Sequence, residues 1–191
     1  MAAPVTRLNP NFGTGARVRQ PEDLALRERL EAHHQEALGW ALSLCRYDIE
    51  EAENAVQSAY VSILSRHAAF EGRSSFRTWL FAVVRTTAVD LRRREWLRRL
   101  RLIREEPGER EIDRGPRPDE RVDDDQRSRR LRALLAKLPR RQHEVLQLVF
   151  YHDLSIAEAA RVMAVSLGSA RRHYERGKQR LRERFAEEPF A

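Results

Sequence analysis

The side chains best placed to do chemistry in this sequence are arginines, and the chemistry they offer is binding. Lys and Arg number 36 against 29 Asp and Glu, for a net charge of +7 and a pI near 10.4. That balance favours a polyanionic partner. The guanidinium presents a rigid fork of five donors, which matches phosphate oxygens and guanine edges better than an ammonium does. One concentration, Ser169, Arg171, Arg172, His173 and Arg176 with Lys178 and Arg180 beyond, lies near the C-terminus. Catalytic patterns are missing from the chain. His33, His34, His67, His143, His152 and His173 include no i, i+4 pair of the kind that holds a metal on a helix. Neither a Gly-rich phosphate loop nor a nucleophile elbow occurs. Cys45 is the sole cysteine, which excludes an internal disulfide and a cysteine-built zinc site and reads as a small buried hydrophobe. The expectation is a protein with no catalytic residue, no metal and no cofactor, and not an enzyme.

The elements needed to position the C-terminal arginines are visible around them. Ser155 precedes an apolar run and Glu158 follows three residues later, the signature of a capping box that starts a helix at Ile156. That helix ends near Met163. After a short turn Ser166 caps a second helix whose inward face is expected to carry Leu167, Ala170, Tyr174 and Leu181. Gly168 and the polar cluster then face outward near the helix start, as in a helix-turn-helix docked in a DNA major groove.

Upstream, the periodicity is helical throughout. From Pro21 to about Leu44 the residues Leu26, Leu30, Ala37, Trp40, Ala41 and Leu44 recur at three- and four-residue steps. Ala52, Val56, Ala59, Tyr60 and Ile63 mark another helix. After Gly72 and two serines, Phe76, Trp79, Leu80, Val83, Val84, Thr87 and Leu91 mark a third, and the position of Trp79 on that apolar stripe assigns it to core packing. The end of this helix is intensely basic: Arg85, Arg92, Arg93, Arg94, Arg98, Arg99, Arg101 and Arg104 oppose only Asp90 and Glu95. Residues 105–126 are acidic and rich in Pro and Gly, the composition of a flexible linker. Helical spacing resumes with Leu131, Leu134, Leu135 and Leu138, then Val145, Leu148 and Val149. The predicted class is all-α: two small helical domains, 21–104 and 127–186, joined by a flexible acidic linker, the second containing the helix-turn-helix. Residues 1–20 read as a disordered basic arm and 187–191 as a tail. No apolar run suffices to span a bilayer and the first twenty residues lack a signal-peptide core, so no membrane insertion is expected.

The stretch LPRRQHEVLQLVFYHDLSIAEAARVMAVSLGSARRHYERGKQRLRE resembles the promoter-reading C-terminal region of bacterial RNA polymerase sigma factors of the extracytoplasmic-function (ECF) group of the sigma-70 family. AENAVQSAYVSIL is similar to that group's polymerase-binding helix, and FRTWLFAVVRTTAVDLRRR to its promoter-melting helix. The matches cover most of residues 21–186 in the expected order. The resemblance implies a cytoplasmic bacterial protein that binds core RNA polymerase and directs promoter-specific initiation by recognising minus-35 and minus-10 elements and assisting DNA melting.

Residue by residue, the resemblance implies that Glu50, Glu51, Glu53, Asn54 and Gln57 meet the clamp of the polymerase largest subunit, with the second-largest subunit a further partner. It implies that Phe70, Arg73, Ser74, Ser75, Arg77, Arg85, Arg92, Arg93 and Arg94 meet the minus-10 element, where a base is flipped from the melted strand. Ser169, Arg171, Arg172, His173, Arg176, Lys178 and Arg180 would meet duplex DNA at the minus-35 element. An anti-sigma protein is an implied regulator. The sequence departs from the group's pattern at Asn54, where Asp is usual, at Thr86, where Asn is usual, and at Ala164, where a turn Gly is common. A non-glycine residue at 164 must adopt another turn or carry about 1 kcal/mol of strain. The rival reading is a free-standing helix-turn-helix regulator, which would ordinarily need a dimerisation element.

Overall fold

Helix boundaries in the computed structural model, which describes residues 21–105 and 126–187, follow the caps written in the sequence. The chain forms α1 (Pro21–Ala32), α2 (His34–Leu44), α3 (Ile49–Leu64) and the long α4 (Phe76–Glu105). It continues with α5 (Gln126–Ala136), α6 (Arg140–Leu146), a π-helical segment (Gln147–Tyr151), α7 (Ile156–Val162) and α8 (Leu167–Glu187). No strand occurs among the described residues, in agreement with the all-α expectation. The basic arm, most of the acidic linker and the end of the tail lie outside the described residues.

The single N-terminal helix expected from apolar spacing is two, α1 and α2, broken at His33 (φ −106°, ψ 8°). Positive φ at Arg46 and Tyr47 turns the chain out of α2, and the Tyr47 amide closes that turn on the Leu42 carbonyl at 2.8 Å. Asp48 caps α3 by accepting from the Glu51 amide at 2.9 Å. Ser75 does the same for α4 through the Thr78 amide.

Helices α2, α3 and α4 pack around Trp40, Ala41, Val56, Ala59, Ile63, Leu80, Phe81 and Val84, all buried. The Trp40 indole N–H donates to the Phe81 carbonyl at 3.1 Å, so the largest core side chain is also satisfied as a donor. In the C-terminal half, α6, α7 and α8 enclose Leu138, Val145, Leu146, Leu148, Leu154, Val162 and Met163.

The two halves are packed on each other. Helix α4 lies against α7, α2 lies against the π-helical segment, and one continuous apolar core runs through both. At this junction the His152 ring packs edge-on against both Trp40 and Phe81, with ring centroids 5.9 and 4.9 Å away.

Candidate nucleic-acid interface

The capping box at the head of α7 forms as the sequence predicts. Ser155 Oγ accepts from the Glu158 amide at 3.2 Å, while Glu158 Oε2 accepts from the Ser155 amide at 3.0 Å. The bonds from Ser155 hold the Glu158 carboxyl below its ordinary pKa. Helix α7 closes in a Schellman turn: the Val165 amide donates to the Ala160 carbonyl and the Ala164 amide to the Arg161 carbonyl. Ala164 occupies the left-handed position of that turn, with φ +51°, so the strain anticipated there is taken up and not avoided. Ser166 then caps α8 by accepting from the Ser169 amide at 3.2 Å.

On α8, Ala170 and Gly177 are buried and Tyr174 and Leu181 half-buried, but Leu167, expected inward, is exposed. It is the first residue of α8, ahead of the packing face that begins at Ala170. Gly177 was not singled out by type, although it falls on the same three- and four-residue step. A Cβ there would meet Leu146 Cδ1 at 3.0 Å and Gln142 Cβ at 3.2 Å, so α8 lies on α6 with no room for a side chain. The outer face presents Arg171, Arg172 and Arg176 to solvent, with Ser169 and His173 half-exposed beside them, whereas Arg180, though exposed, donates to Gln142 of α6 at 3.3 Å. Lys178 lies over the Tyr174 ring and pairs with Glu175 at 3.3 Å, which draws it toward the flank of the ridge.

In the N-terminal half, Glu50, Glu51, Glu53, Asn54 and Gln57 all project from the exposed face of α3. Asn54 accepts from Ser58 at 3.3 Å. The loop before α4 is anchored by an aromatic trio, Phe70, Phe76 and Trp79, with centroids 5.3 to 5.5 Å apart. The Arg29 guanidinium caps it, 4.1 Å from the Phe76 centroid. Trp79 thus packs as its spacing suggested. Gly72, at φ +72° with open space around it, lets the loop turn outward and carries Arg73 and Ser75 at the surface, where Arg73 pairs with Glu71.

The nine residues associated with the minus-10 element do not all share a surface. Arg73, Ser75, Arg93 and Arg94 are exposed. Arg77 is half-buried and donates to Glu36 at 2.8 Å, and Arg92 donates to the Leu44 carbonyl at 3.0 Å. Arg85 is turned inward: it is buried, and its Nε donates to Glu144 Oε2 at 3.0 Å across the junction of the halves. The resemblance implied that Arg85 meets the minus-10 element with its neighbours. In this structure its charge is neutralised inside the protein. Glu144, only 1% exposed, also accepts from Arg140 at 2.7 Å. The readable signal for Glu144 was an acid on the same helical stripe as Val145 and Leu148.

Further polar contacts line the junction. Thr78 donates to Glu158 at 3.4 Å, and Gln147 donates to the Tyr47 hydroxyl at 3.1 Å. Burial pushes the Tyr47 phenol up and the His152 imidazole down to about 4, the latter helped by the nearby Arg77 charge. The Cys45 thiol is pushed up to about 12 by burial, consistent with a packing residue. Among the described residues no cluster of metal-ligating side chains occurs and no helix is long and apolar enough to cross a membrane.

The chain has counterparts among known proteins in sequence and in fold. The family description "Sigma-70 region 2" matches residues 30–98 and "Sigma-70, region 4" matches residues 128–181. The ECF RNA polymerase sigma factor SigX of Bacillus subtilis is 27% identical over 154 residues, covering 80% of this chain and 79% of that protein. The ECF RNA polymerase sigma factor SigC of Mycobacterium tuberculosis is 28% identical over 163 residues, covering 82% and 81%. In fold, the sigma factor RpoE of Bartonella quintana, solved in complex with the anti-sigma factor NepR, superposes with a TM-score of 0.64 at 21% identity, over 83% of this chain and 95% of that one. CnrH, solved in complex with the cytosolic domain of CnrY, does so at 0.60 and 21%, over 86% and 90%. The chain belongs to the sigma-70 family, in its ECF group, and its function is that of a sigma factor in transcription initiation.

Proposed function

We propose that this chain binds core RNA polymerase through the α3 face of Glu50, Glu51, Glu53, Asn54 and Gln57, and brings it to promoters by two separate DNA contacts. In this reading residues 21–104 hold polymerase and the minus-10 element and residues 127–186 hold the minus-35 element. The α8 ridge of Arg171, Arg172 and Arg176 lies in the major groove at the upstream element, with Lys178 and Arg180 nearer the backbone phosphates. The Arg73–Ser75 loop with Arg93 and Arg94 meets the downstream element, where phosphate contacts offset the few kcal/mol of unstacking a base. The clamp of the largest subunit and the second-largest subunit are the polymerase surfaces engaged, and an anti-sigma protein is a fitting regulator, since RpoE and CnrH were each solved bound to another protein. Polymerase performs the chemistry.

The observation that carries this reading is the segregation of charge in one chain. Acids and amides sit outward on α3 and arginines outward on α8, so a basic protein surface and a nucleic acid can be held at once. Purified chain, core polymerase and promoter DNA should form a ternary complex that supports run-off transcription. Arg171→Ala should weaken use of the upstream element and leave polymerase binding intact, and a change at Gln57 should do the reverse. Tight DNA binding by the chain alone, with no gain of promoter selectivity by polymerase, would instead mark a free-standing regulator.

A further inference from the structure

We infer that Trp96, Leu97 and Leu100, on the outer face of α4 near its end, read thymine methyl groups in duplex DNA while Arg94 and Arg101 hold a phosphate strand beside them. The inference deepens the proposed function, on which it rests for the DNA being promoter DNA. The stripe itself stands on geometry.

Helix α4 turns Leu80, Val84, Ala88 and Leu91 to the core. At 3.6 residues per turn, Arg93 falls about 200° round the axis from Leu91, and Trp96, Leu97 and Leu100 gather within about 60° of it, on the face that looks away from the core. All three are exposed, Trp96 by 60%, and none of them joins the core. Isolated apolar residues at a surface need no explanation. An indole and two leucines at i, i+1 and i+4 make a continuous stripe, and such a patch marks an interaction site.

Charge decides what covers the stripe. Along one flank Arg92 donates to the Leu44 carbonyl at 3.0 Å and Arg99 to Glu95 at 2.8 Å, and Arg98, behind, is held by the same Glu95. Along the other flank Arg94 and Arg101 are exposed and make no ion pair or hydrogen bond among the described residues. An apolar stripe with one free cationic rail fits a groove of duplex DNA, where a phosphate strand runs beside the base edges. A lipid surface calls for cations free on both flanks. In the major groove, which admits a helix, thymine offers an apolar group, its C5-methyl. Leucines cannot stack on a base face as an indole can, so paired DNA suits the stripe better than a melted strand. From Phe76 to Trp96 the helix rises roughly 30 Å at 1.5 Å per residue, about nine base pairs of duplex. The stripe is thus far enough from a base flipped at the Arg73–Ser75 loop for the strands to be paired.

Replacing thymidine by deoxyuridine removes the methyl and keeps the pairing. The test uses core polymerase, the full chain and a promoter fragment that supports run-off transcription, with deoxyuridine placed in successive short blocks. One block flanking the minus-10 contact should weaken complex formation, by about fourfold for each methyl lost, the worth of one buried CH2 group. The triple variant Trp96→Gln, Leu97→Gln, Leu100→Gln should bind polymerase and unfold at the wild-type temperature, and should not distinguish the two fragments. Arg94→Ala should instead weaken both fragments equally and lower the slope of the salt dependence by about one, as loss of a phosphate contact requires. No deoxyuridine effect in any block, or the same effect on the triple variant, would overturn the proposal. So would retention of the wild type, and not of the triple variant, on phosphatidylglycerol vesicles with no preference for thymine, which would assign the stripe to a lipid surface. Should no fragment support run-off, the sigma reading fails by itself, and the affinity of the chain alone for alternating dA–dT against dA–dU duplex still decides the thymine contact.

Discussion

Acidification from pH 7 to pH 5 is expected to weaken the packed structure through its buried histidines, His152 above all, with His143 also held below its ordinary value by burial. His152 is 2% exposed and its pKa lies near 4, against an ordinary value of 6.5. Burial is the main cause, Arg77 adds to it, and Glu36 and Asp153 oppose it. A histidine with a lowered pKa is stabilising while neutral, so its contribution is intact above pH 6.5 and is lost as pH falls through 6.5 toward 4. At 1.36 kcal/mol per unit the whole window is worth roughly 3 kcal/mol, of which about 2 kcal/mol is lost between pH 7 and pH 5. Glu158, the described acid held low by its cap, matters mainly below its ordinary value of 4.5. Urea unfolding at pH 7, 6 and 5, on wild type and on His152→Leu, isolates the effect. Wild type should lose about 2 kcal/mol more than the variant over that span. Parallel losses in the two proteins would refute the reasoning, because the titrating group would then be elsewhere.

Two substitutions test backbone and packing claims. Ala164→Gly should stabilise the fold by about 0.5–1 kcal/mol, raising the melting temperature by about 1–4 °C in calorimetry, since relief of the left-handed strain outweighs the added freedom of the unfolded chain. Gly177→Ala should do the opposite despite a gain of about 1 kcal/mol in helix propensity. Leu146 Cδ1 can shift, but Gln142 Cβ at 3.2 Å is fixed to its backbone, and overpacking costs about 1–3 kcal/mol. A net loss near 1 kcal/mol by denaturant titration is the expected result.

The helices could be read from the sequence because their caps and apolar steps are local. Ser155, Ser166 and the stripe through Phe76, Leu80 and Val84 act within a few residues of themselves, and the structure places them as their spacing requires. The exposed ridge at Arg171 and Arg176 follows from the same periodicity. The break at His33 was less legible because apolar spacing continues across it and no Gly or Pro marks it. What could not be read was the pairing of the halves. Arg85 and Glu144 are 59 residues apart, and each alone looks like a surface charge. Only the position of Glu144 on a buried stripe hinted at an internal partner. The sequence pattern also suggested two self-contained cores, whereas His152, Trp40 and Phe81 join them into one.

The bond from Trp40 to the Phe81 carbonyl has a spectroscopic consequence. Of the chain's tryptophans, Trp40 is fully buried at the junction, Trp79 packs in its aromatic trio, and Trp96 already stands in solvent. Loosening of the junction would strip the His152 ring from the edge of the Trp40 indole, while the Phe70 and Phe76 rings stay on Trp79. The molecule therefore carries its own optical gauge, an emission component that shifts with loosening and needs no attached dye.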